Sequence, residues 1–271
     1  MIIGCRDYSN DTNPLPHGTL IVAIICNDGI IIAGDSRASF TTTHEERNSE
    51  GRKIEKVYAY IDSTQKIFQV NKYQMGVSGI SMLGGKFLYQ LTQDFSRKNK
   101  SEATLKATFL NLKNYLNNSL SIKDSSISEN QFILAGYENS QATIFAHGYN
   151  GEVSERRLGG AVYSDSGFKP YLVKPKGTVW NCKDIAPYIE SAMHSFARDK
   201  NDFMIGGPIN IIQIKPDNSI IQIKSFKSTK YKNYKQMATD IINNKLSVKY
   251  LFWDSESLLK KTLREGIELG Y

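Results

Sequence analysis

A hydroxyl at Thr19, a carboxylate at Asp35 and a guanidinium at Arg37 stand at the two ends of one apolar segment of the chain. Between them run two apolar stretches, each the length of a strand, on either side of the turn Asn27-Asp28-Gly29. That is the pattern of a tight β-hairpin. The first strand starts at Gly18-Thr19 and the second ends in Asp35-Ser36-Arg37, so pairing sets Thr19 beside Asp35. Neither stretch alternates polar with apolar residues, which implies burial on both faces, in a sheet held between other layers. Polar and charged groups at the mouth of a dry sheet need a chemical reason, and catalysis is the leading one.

The 271 residues, 40% of them hydrophobic, suffice for one good-sized core or two small ones. No apolar run approaches eighteen residues, so no membrane partner is expected. The start, Met1-Ile2-Ile3-Gly4-Cys5-Arg6, lacks the basic opening and long apolar run of a signal peptide. Cys5, Cys26 and Cys182 show no metal-ligand spacing and are odd in number for a disulfide framework, which suits a cytoplasmic setting. His44, His147 and His194 show no ligand spacing either, so no metal is expected. The net charge of +7 is concentrated in part at Lys224, Lys227, Lys230, Lys232 and Lys235, interleaved with Tyr231 and Tyr234. Without any accompanying nucleic-acid motif, this run reads as a solvated linker, and no nucleic-acid partner is expected.

Residues 1–18 are polar and turn-rich, a leader outside the core. Residues 40–63 are charged and polar and read as a long surface excursion. A second hairpin pairs Lys66–Asn71 with Met75–Gly79 around Lys72-Tyr73. Helical spacing comes next over about 82–98 (Leu83, Phe87, Leu88, Leu91, Phe95), then again after Ser101 (Leu105, Phe109, Leu112, Leu116). Strands resume at Gln131–Tyr137 and Ala142–Ala146. A helix over about 183–198 precedes a closing hairpin, Ile209–Ile214 with Ile220–Ile223. Strands, two helices, strands, a helix and strands fit two packed sheets with helices outside them. Beyond Phe226 the lysine-rich linker leads to a final helix opened by Asp254, with Leu259, Leu263 and Ile267 on one side.

The first hairpin and several later stretches of the chain resemble the catalytic β subunits of the proteasome, within the N-terminal-nucleophile hydrolases. The matching stretches are Gly18-Thr19, the Asp-Gly turn, Ala33-Gly34-Asp35-Ser36-Arg37-Ala38, Lys66–Val70 with Met75–Gly79, and Asp202-Phe203-Met204-Ile205-Gly206-Gly207, in family order over residues 18–226. The resemblance implies an α+β fold: a four-layer αββα sandwich of two antiparallel sheets, with a C-terminal helical extension. It implies a leader at 1–18, a hydrolase domain at 19–226, and a lysine-rich linker and helical tail at 227–271. Family precursors cut themselves between the glycine and the threonine, which would make Thr19 a new N-terminus.

A threonine hydroxyl is a poor nucleophile at neutral pH and needs an adjacent base. The resemblance supplies it as the freed α-amino group of Thr19, so no cofactor is implied. Lys66 would lower the pKa of that amine, Asp35 would hold Lys66 charged, and Arg37 would help shape the same charged cluster. The backbone N–H of Gly79 would face the oxyanion. Asp202 would orient the surroundings of the nucleophile, with Gly206 and Gly207 supporting it. Ser164 would contact the amine, with Ser166 as the alternative.

Asp35 comes 16 residues after Thr19, the family spacing. Lys66 lies 31 residues beyond Asp35, about twice the family separation, with the surplus assigned to residues 40–63. Lys53 is the competing lysine, but no Ile-Phe-Gln-Val-like strand comes after it. Ile205 stands where the family has a serine.

The implied activity is threonine-type cleavage of peptides or unfolded proteins through an acyl-enzyme on Thr19, in a ring with other β-type subunits, as in a homo-oligomer. The resemblance implies that Ala38, Thr64, Phe68 and Val77 line the substrate pocket, and since all four are uncharged it points to apolar substrate side chains. Two alternatives remain on the same fold: a catalytically inactive structural subunit of a ring, and a small-molecule amidase.

Overall fold

The computed structural model describes residues 18, 20–47, 53–79, 81–83, 85–99, 104–118, 130–148, 151–173, 180–199 and 203–271. Chain order begins with β1 (Ile21–Cys26), β2 (Gly29–Gly34), β3 (Arg37–Arg47), β4 (Lys53–Asp62), β5 (Ile67–Val70) and β6 (Tyr73–Ser78). Next come a small hairpin, β7 (Met82–Leu83) and β8 (Lys86–Phe87), and the helices α1 (Leu88–Lys98) and α2 (Leu105–Asn117). After these lie β9 (Gln131–Glu138), β10 (Gln141–Gly148), β11 (Gly151–Glu155), β12 (Ala161–Tyr163) and α3 (Cys182–Asp199). The chain closes with β13 (Asn210–Ile214), β14 (Ile220–Lys224), α4 (Tyr234–Ile242), β15 (Lys249–Tyr250) and α5 (Ser255–Glu268).

Two five-stranded antiparallel sheets result, ordered β12-β1-β2-β13-β14 and β11-β10-β9-β6-β5. One face of the first hairpin (Ile21, Ala23, Ile25, Ile32) packs on Ile67, Ile133, Ala135 and Ile144 of the second sheet. Its other face (Val22, Ile24, Ala33) lies under Ile185, Ile189, Met193 and Phe196 of α3. On the far side, Phe68, Val77, Phe132 and Phe145 are covered by Leu91 and Phe95 of α1 and Phe109 and Leu112 of α2. Both faces of the central strands are therefore apolar, which is why the sequence does not alternate there. The architecture is a four-layer αββα sandwich of two antiparallel sheets.

Several expectations need correction. The stretch 40–63 is not a loose surface excursion: it forms most of the long hairpin β3–β4, whose base carries Ala38, Phe40, Tyr58, Ala59 and Ile61 into a core of their own. The other half of that core is Tyr234, Met237, Ile241, Leu259 and Leu263. The segment read as a linker thus holds a helix, α4, and its tyrosines are buried rather than solvated. Leu83 belongs to β7 rather than to a helix, since the chain turns back to pair β7 with β8 before α1 starts. There the side chain of Gln90 accepts the N–H of Phe87 at 3.0 Å and caps the helix. The second hairpin turns at Asn71-Lys72, and Tyr73 already pairs with Val70. Asp254 precedes α5, yet its side chain makes no capping bond.

At the sheet margin, backbone groups of β5 and of the turn after it are met by nearby side chains. Gln65 donates to the Ile67 carbonyl at 2.9 Å and Gln69 to that of Asn71 at 3.0 Å, while Ser96 accepts the Asn71 N–H at 2.9 Å.

Because Leu263 of α5 is wholly buried against the β3–β4 base, Leu263→Ala is expected to cost about 2–5 kcal/mol of global stability in urea unfolding. A loss below about 0.5 kcal/mol would mean that the C-terminal segment does not share the cooperative core.

Candidate active site

The hairpin register sets Ile21 opposite Gly34, so Asp35 emerges beside the start of β1. Its carboxylate is almost fully buried, at 1% exposure. Oδ1 accepts the Leu20 N–H at 2.9 Å. Oδ2 accepts the Gly206 N–H at 2.9 Å and the Arg37 N–H at 3.3 Å. Lys66, 5% exposed, sits just before β5 and is tied to β6 by the Val77 N–H donating to its carbonyl at 3.1 Å. Its Nζ donates to the carbonyl oxygen of Gly18 at 2.6 Å. Thr19 lies outside the described residues, but both its peptide neighbours are held: Gly18 by Lys66, Leu20 by Asp35.

Burial opposes both charges. Desolvation pushes the Asp35 carboxyl up to about 6, against the pull of the Lys66 ammonium and of the three backbone N–H groups. Desolvation likewise pushes Lys66 down to about 8, against the pull of Asp35. From about pH 6 to 8 both are ionised and each supports the other. The stability consequence has a definite sign. Asp35, raised above its ordinary value, contributes stability below about 3.8 that is lost as pH rises through about 6. Lys66, lowered from its ordinary value, contributes stability above about 10.5 that is lost as pH falls through about 8. The fold therefore carries both buried charges at a cost near neutrality, as is common where a site serves chemistry.

Arg37 is placed differently from the sequence expectation. Its guanidinium does not join Asp35 and Lys66. It pairs with Asp62 across the β3–β4 register, Nε to Oδ1 at 2.7 Å and Nη2 to Oδ2 at 2.9 Å, and stacks 3.6 Å from the centre of the Tyr60 ring. Such a bidentate fork fixes the plane of the group. Arg37 reaches Asp35 through its backbone N–H instead.

Gly206 and Gly207 are required by space and backbone. Gly206 donates to Asp35 and accepts the Ser36 and Arg37 N–H groups at 3.3 and 3.1 Å. A Cβ on Gly206 would lie 2.7 Å from the Arg37 guanidinium carbon. Gly207, at φ +72°, would meet the Ser36 hydroxyl at 2.6 Å. Ile205, where the sequence resemblance would have a serine, turns its side chain into the core beneath α3. Asp202 lies outside the described residues.

Ser164 is buried and its hydroxyl accepts the Ile21 N–H at 2.9 Å, while its own N–H donates to the Ile21 carbonyl at 2.9 Å. Ser166 is exposed at the start of a short 3₁₀ segment just after it. Gly79 comes directly after β6 at φ +116°, and a Cβ there would collide with the buried side chain of Asn130. Lys53 pairs with Arg47 at the far end of the hairpin, nine residues along β4 from Asp62, or about 30 Å. A small cavity beside Lys66 and Gly79 is walled by Phe68, Val77 and Leu88. Ala38, expected in that wall, is buried in the β3–β4 core instead.

Sequence reasoning does not reach Asp62, Tyr60 or Asn130. Asp62 becomes meaningful only once the register sets it opposite Arg37, and nothing in the sequence flags the approach of Asn130 to Gly79.

No protein-family profile matches the chain. A proteasome subunit beta from Stackebrandtia nassauensis is 28% identical over 171 residues, a match covering 59% of this chain and 56% of that relative. The chain thus spans about half the length of the curated relative it matches. Among solved structures, an Anbu (Gly-1) mutant from Hyphomicrobium sp. strain MC1 aligns over 93% of this chain and 97% of that one, at 11% identity and a TM-score of 0.49.

If Lys66 restrains the carboxyl of Asp35 through its charge, Lys66→Met removes that restraint. The Asp35 pKa, followed by carboxyl ¹³C NMR, is then expected to rise above about 6. An unchanged value would show that the two groups do not sense each other. The chain is thus similar in sequence to a proteasome subunit beta, at a level that singles out no member of that family.

Proposed function

We propose that the chain is a threonine-type peptidase of the proteasome-like kind that cuts itself between Gly18 and Thr19 and then hydrolyses peptide bonds through an ester on Thr19. The single observation that carries this reading is the Lys66 ammonium on the Gly18 carbonyl at 2.6 Å, with Asp35 on the Leu20 amide at 2.9 Å. A buried cation and its carboxylate grip the chain on both sides of one threonine.

In the first step the Lys66 ammonium polarises the Gly18 carbonyl and the Thr19 hydroxyl adds to its carbon. The carbon–nitrogen bond breaks, the nitrogen takes up the proton, and the Gly18 acyl group is left as an ester on the Thr19 oxygen. Water hydrolyses that ester, releasing a carboxylate at Gly18 and a free α-amine on Thr19. Such an amine has an ordinary pKa of about 7.7–8.0. The neighbouring Lys66 ammonium lowers it further, so that it serves as the base for its own hydroxyl at neutral pH. A substrate carbonyl then takes the place of Gly18. The hydroxyl adds, its proton passes through the amine to the leaving nitrogen, and water resolves the second ester. The N–H of Gly79 receives the oxyanion, a kind of contact worth about 3–4 kcal/mol. Asp35 keeps Lys66 charged, and Ser164 holds the backbone at Ile21. Asp202 keeps its proposed orienting role. Association with other β-type subunits in a ring, with peptide or unfolded-protein substrates, is part of the same reading and is supported by the β-subunit likeness.

One observation favours a second reading. The side chain of Ile205 is committed to the core, so the hydroxyl that would help hold the amine is missing there. A non-catalytic ring subunit of the same fold is consistent with that loss.

Intact-mass and N-terminal analysis of the purified protein separates the two. The peptidase reading expects a chain starting at Thr19, with self-cleavage abolished in Thr19→Ala; a fully retained Gly18–Thr19 bond in wild type would leave only the structural reading. For the processed form, kcat/KM on apolar fluorogenic peptides is expected to rise with pH through about 6, as Asp35 ionises, and to fall above about 8, as Lys66 loses its proton. Lys66→Met is expected to lower it by about 10²–10⁴-fold.

A further inference from the structure

The C-terminal segment does more than complete a core. On its way from β14 to α4 it crosses the body of the sandwich as a strap, held at several points. The Thr229 N–H donates to the Ser63 carbonyl at 3.0 Å, and its hydroxyl donates to that of Ser63 at 3.0 Å. The Tyr89 hydroxyl donates to the Tyr231 carbonyl, and the Gln90 amide to that of Lys232 at 2.8 Å. The Tyr231 ring lies 5.6 Å from that of Phe87, and Tyr231 is only 6% exposed.

Beneath this strap is a cavity whose walls include Ile61, Phe68, Phe87, Tyr231 and Met237. It shares Gln65, Phe68 and Ser81 with the small cavity that opens beside Lys66 and Gly79. The two spaces are consecutive: the first begins where a reacting carbonyl would sit, the second ends against the strap. Both are tight, with ≈ 10 Å³ of free space in the first and ≈ 20 Å³ in the second, about the room one water molecule needs. Ile61, Phe68, Val77, Phe87, Leu88, Tyr231 and Met237 give them a buried apolar side, while Thr64, Gln65, Ser81, Thr229 and Lys230 give them a polar one.

We propose that Tyr231, backed by Met237, is a specificity-determining residue that closes the far end of the pocket for the substrate side chain next to the cleaved bond, restricting it to small apolar groups. This rests on the peptidase reading of the same site. A side chain entering past Lys66 and Gly79 runs along Phe68 and meets the Tyr231 ring. An alanine methyl, about the size of one water molecule, fits short of the ring, whereas leucine or phenylalanine requires the strap or Phe68 to move. The selectivity is therefore set by a segment about 150 residues beyond the strands that carry Lys66 and Gly79, a distance in sequence that the fold closes.

The test compares peptides that differ only at that position, alanine against leucine, in two assays on the same proteins. One is turnover; the other is binding of the corresponding product peptides, each ending in that residue, followed by NMR. Wild type is expected to prefer alanine. Tyr231→Ala is expected to move the leucine-to-alanine ratio at least about 10-fold toward leucine in both assays, and Met237→Ala in the same direction. Tyr231→Phe, which keeps the ring, retains the wild-type ratio. Should Tyr231→Ala fail to fold, Met237→Ala carries the comparison. Absent turnover with a shifted binding ratio overturns the peptidase reading and leaves the pocket standing. Normal turnover with unshifted ratios in both alanine variants overturns the strap proposal alone, and absence of both turnover and peptide binding overturns both.

Discussion

Keeping an ammonium and a carboxylate together out of water is the demand around which this molecule is arranged. A charge moved from water into a protein interior is tolerated only with close partners and satisfied hydrogen bonds. Asp35 therefore collects three backbone N–H groups, and Lys66 collects a carbonyl. Each of those donors imposes a condition of its own. The Gly206 amide reaches Asp35 only because residues 206 and 207 have no side chains to strike Arg37 and Ser36. The Leu20 amide reaches it only because the hairpin register sets Gly34 across from Ile21.

Arg37 stands beside the same pair. Its guanidinium is near enough for the charge of Asp35 to favour its protonated form, yet its hydrogen bonds go elsewhere. The guanidinium is drawn off to Asp62 and Tyr60, where it locks the base of the β3–β4 hairpin. The long hairpin, its covering helices and the charged pair are thus joined at one residue. The backbone of Arg37 faces the pair, and its side chain faces the extension.

Much of this was legible in the sequence where signals are local. The Asn-Asp-Gly turn and two unbroken apolar runs identified the central hairpin, and the spacing of Leu105, Phe109, Leu112 and Leu116 identified α2. Signals failed where partners are distant. Residues 40–63 look polar in sequence, and the apolar residues that cover the base of that hairpin, Met237, Ile241, Leu259 and Leu263, lie some 200 positions away. The lysines around Tyr231 and Tyr234 hid two ring systems that pack inward while the amines stay in water, a division that composition cannot reveal. For the pair itself, sequence located both residues, but only three dimensions showed which groups soothe the carboxylate.

The glutamines along β5 carry a last consequence. An unpaired sheet margin invites another chain to add on, and repeated addition builds fibres. Here the outward carbonyl of Ile67 already holds the amide donor of Gln65, and in the turn that follows β5 the Asn71 carbonyl holds that of Gln69. An incoming strand would have to displace Gln65 to reach the Ile67 carbonyl. At that carbonyl the rim is therefore less open to strand addition than a bare edge would be.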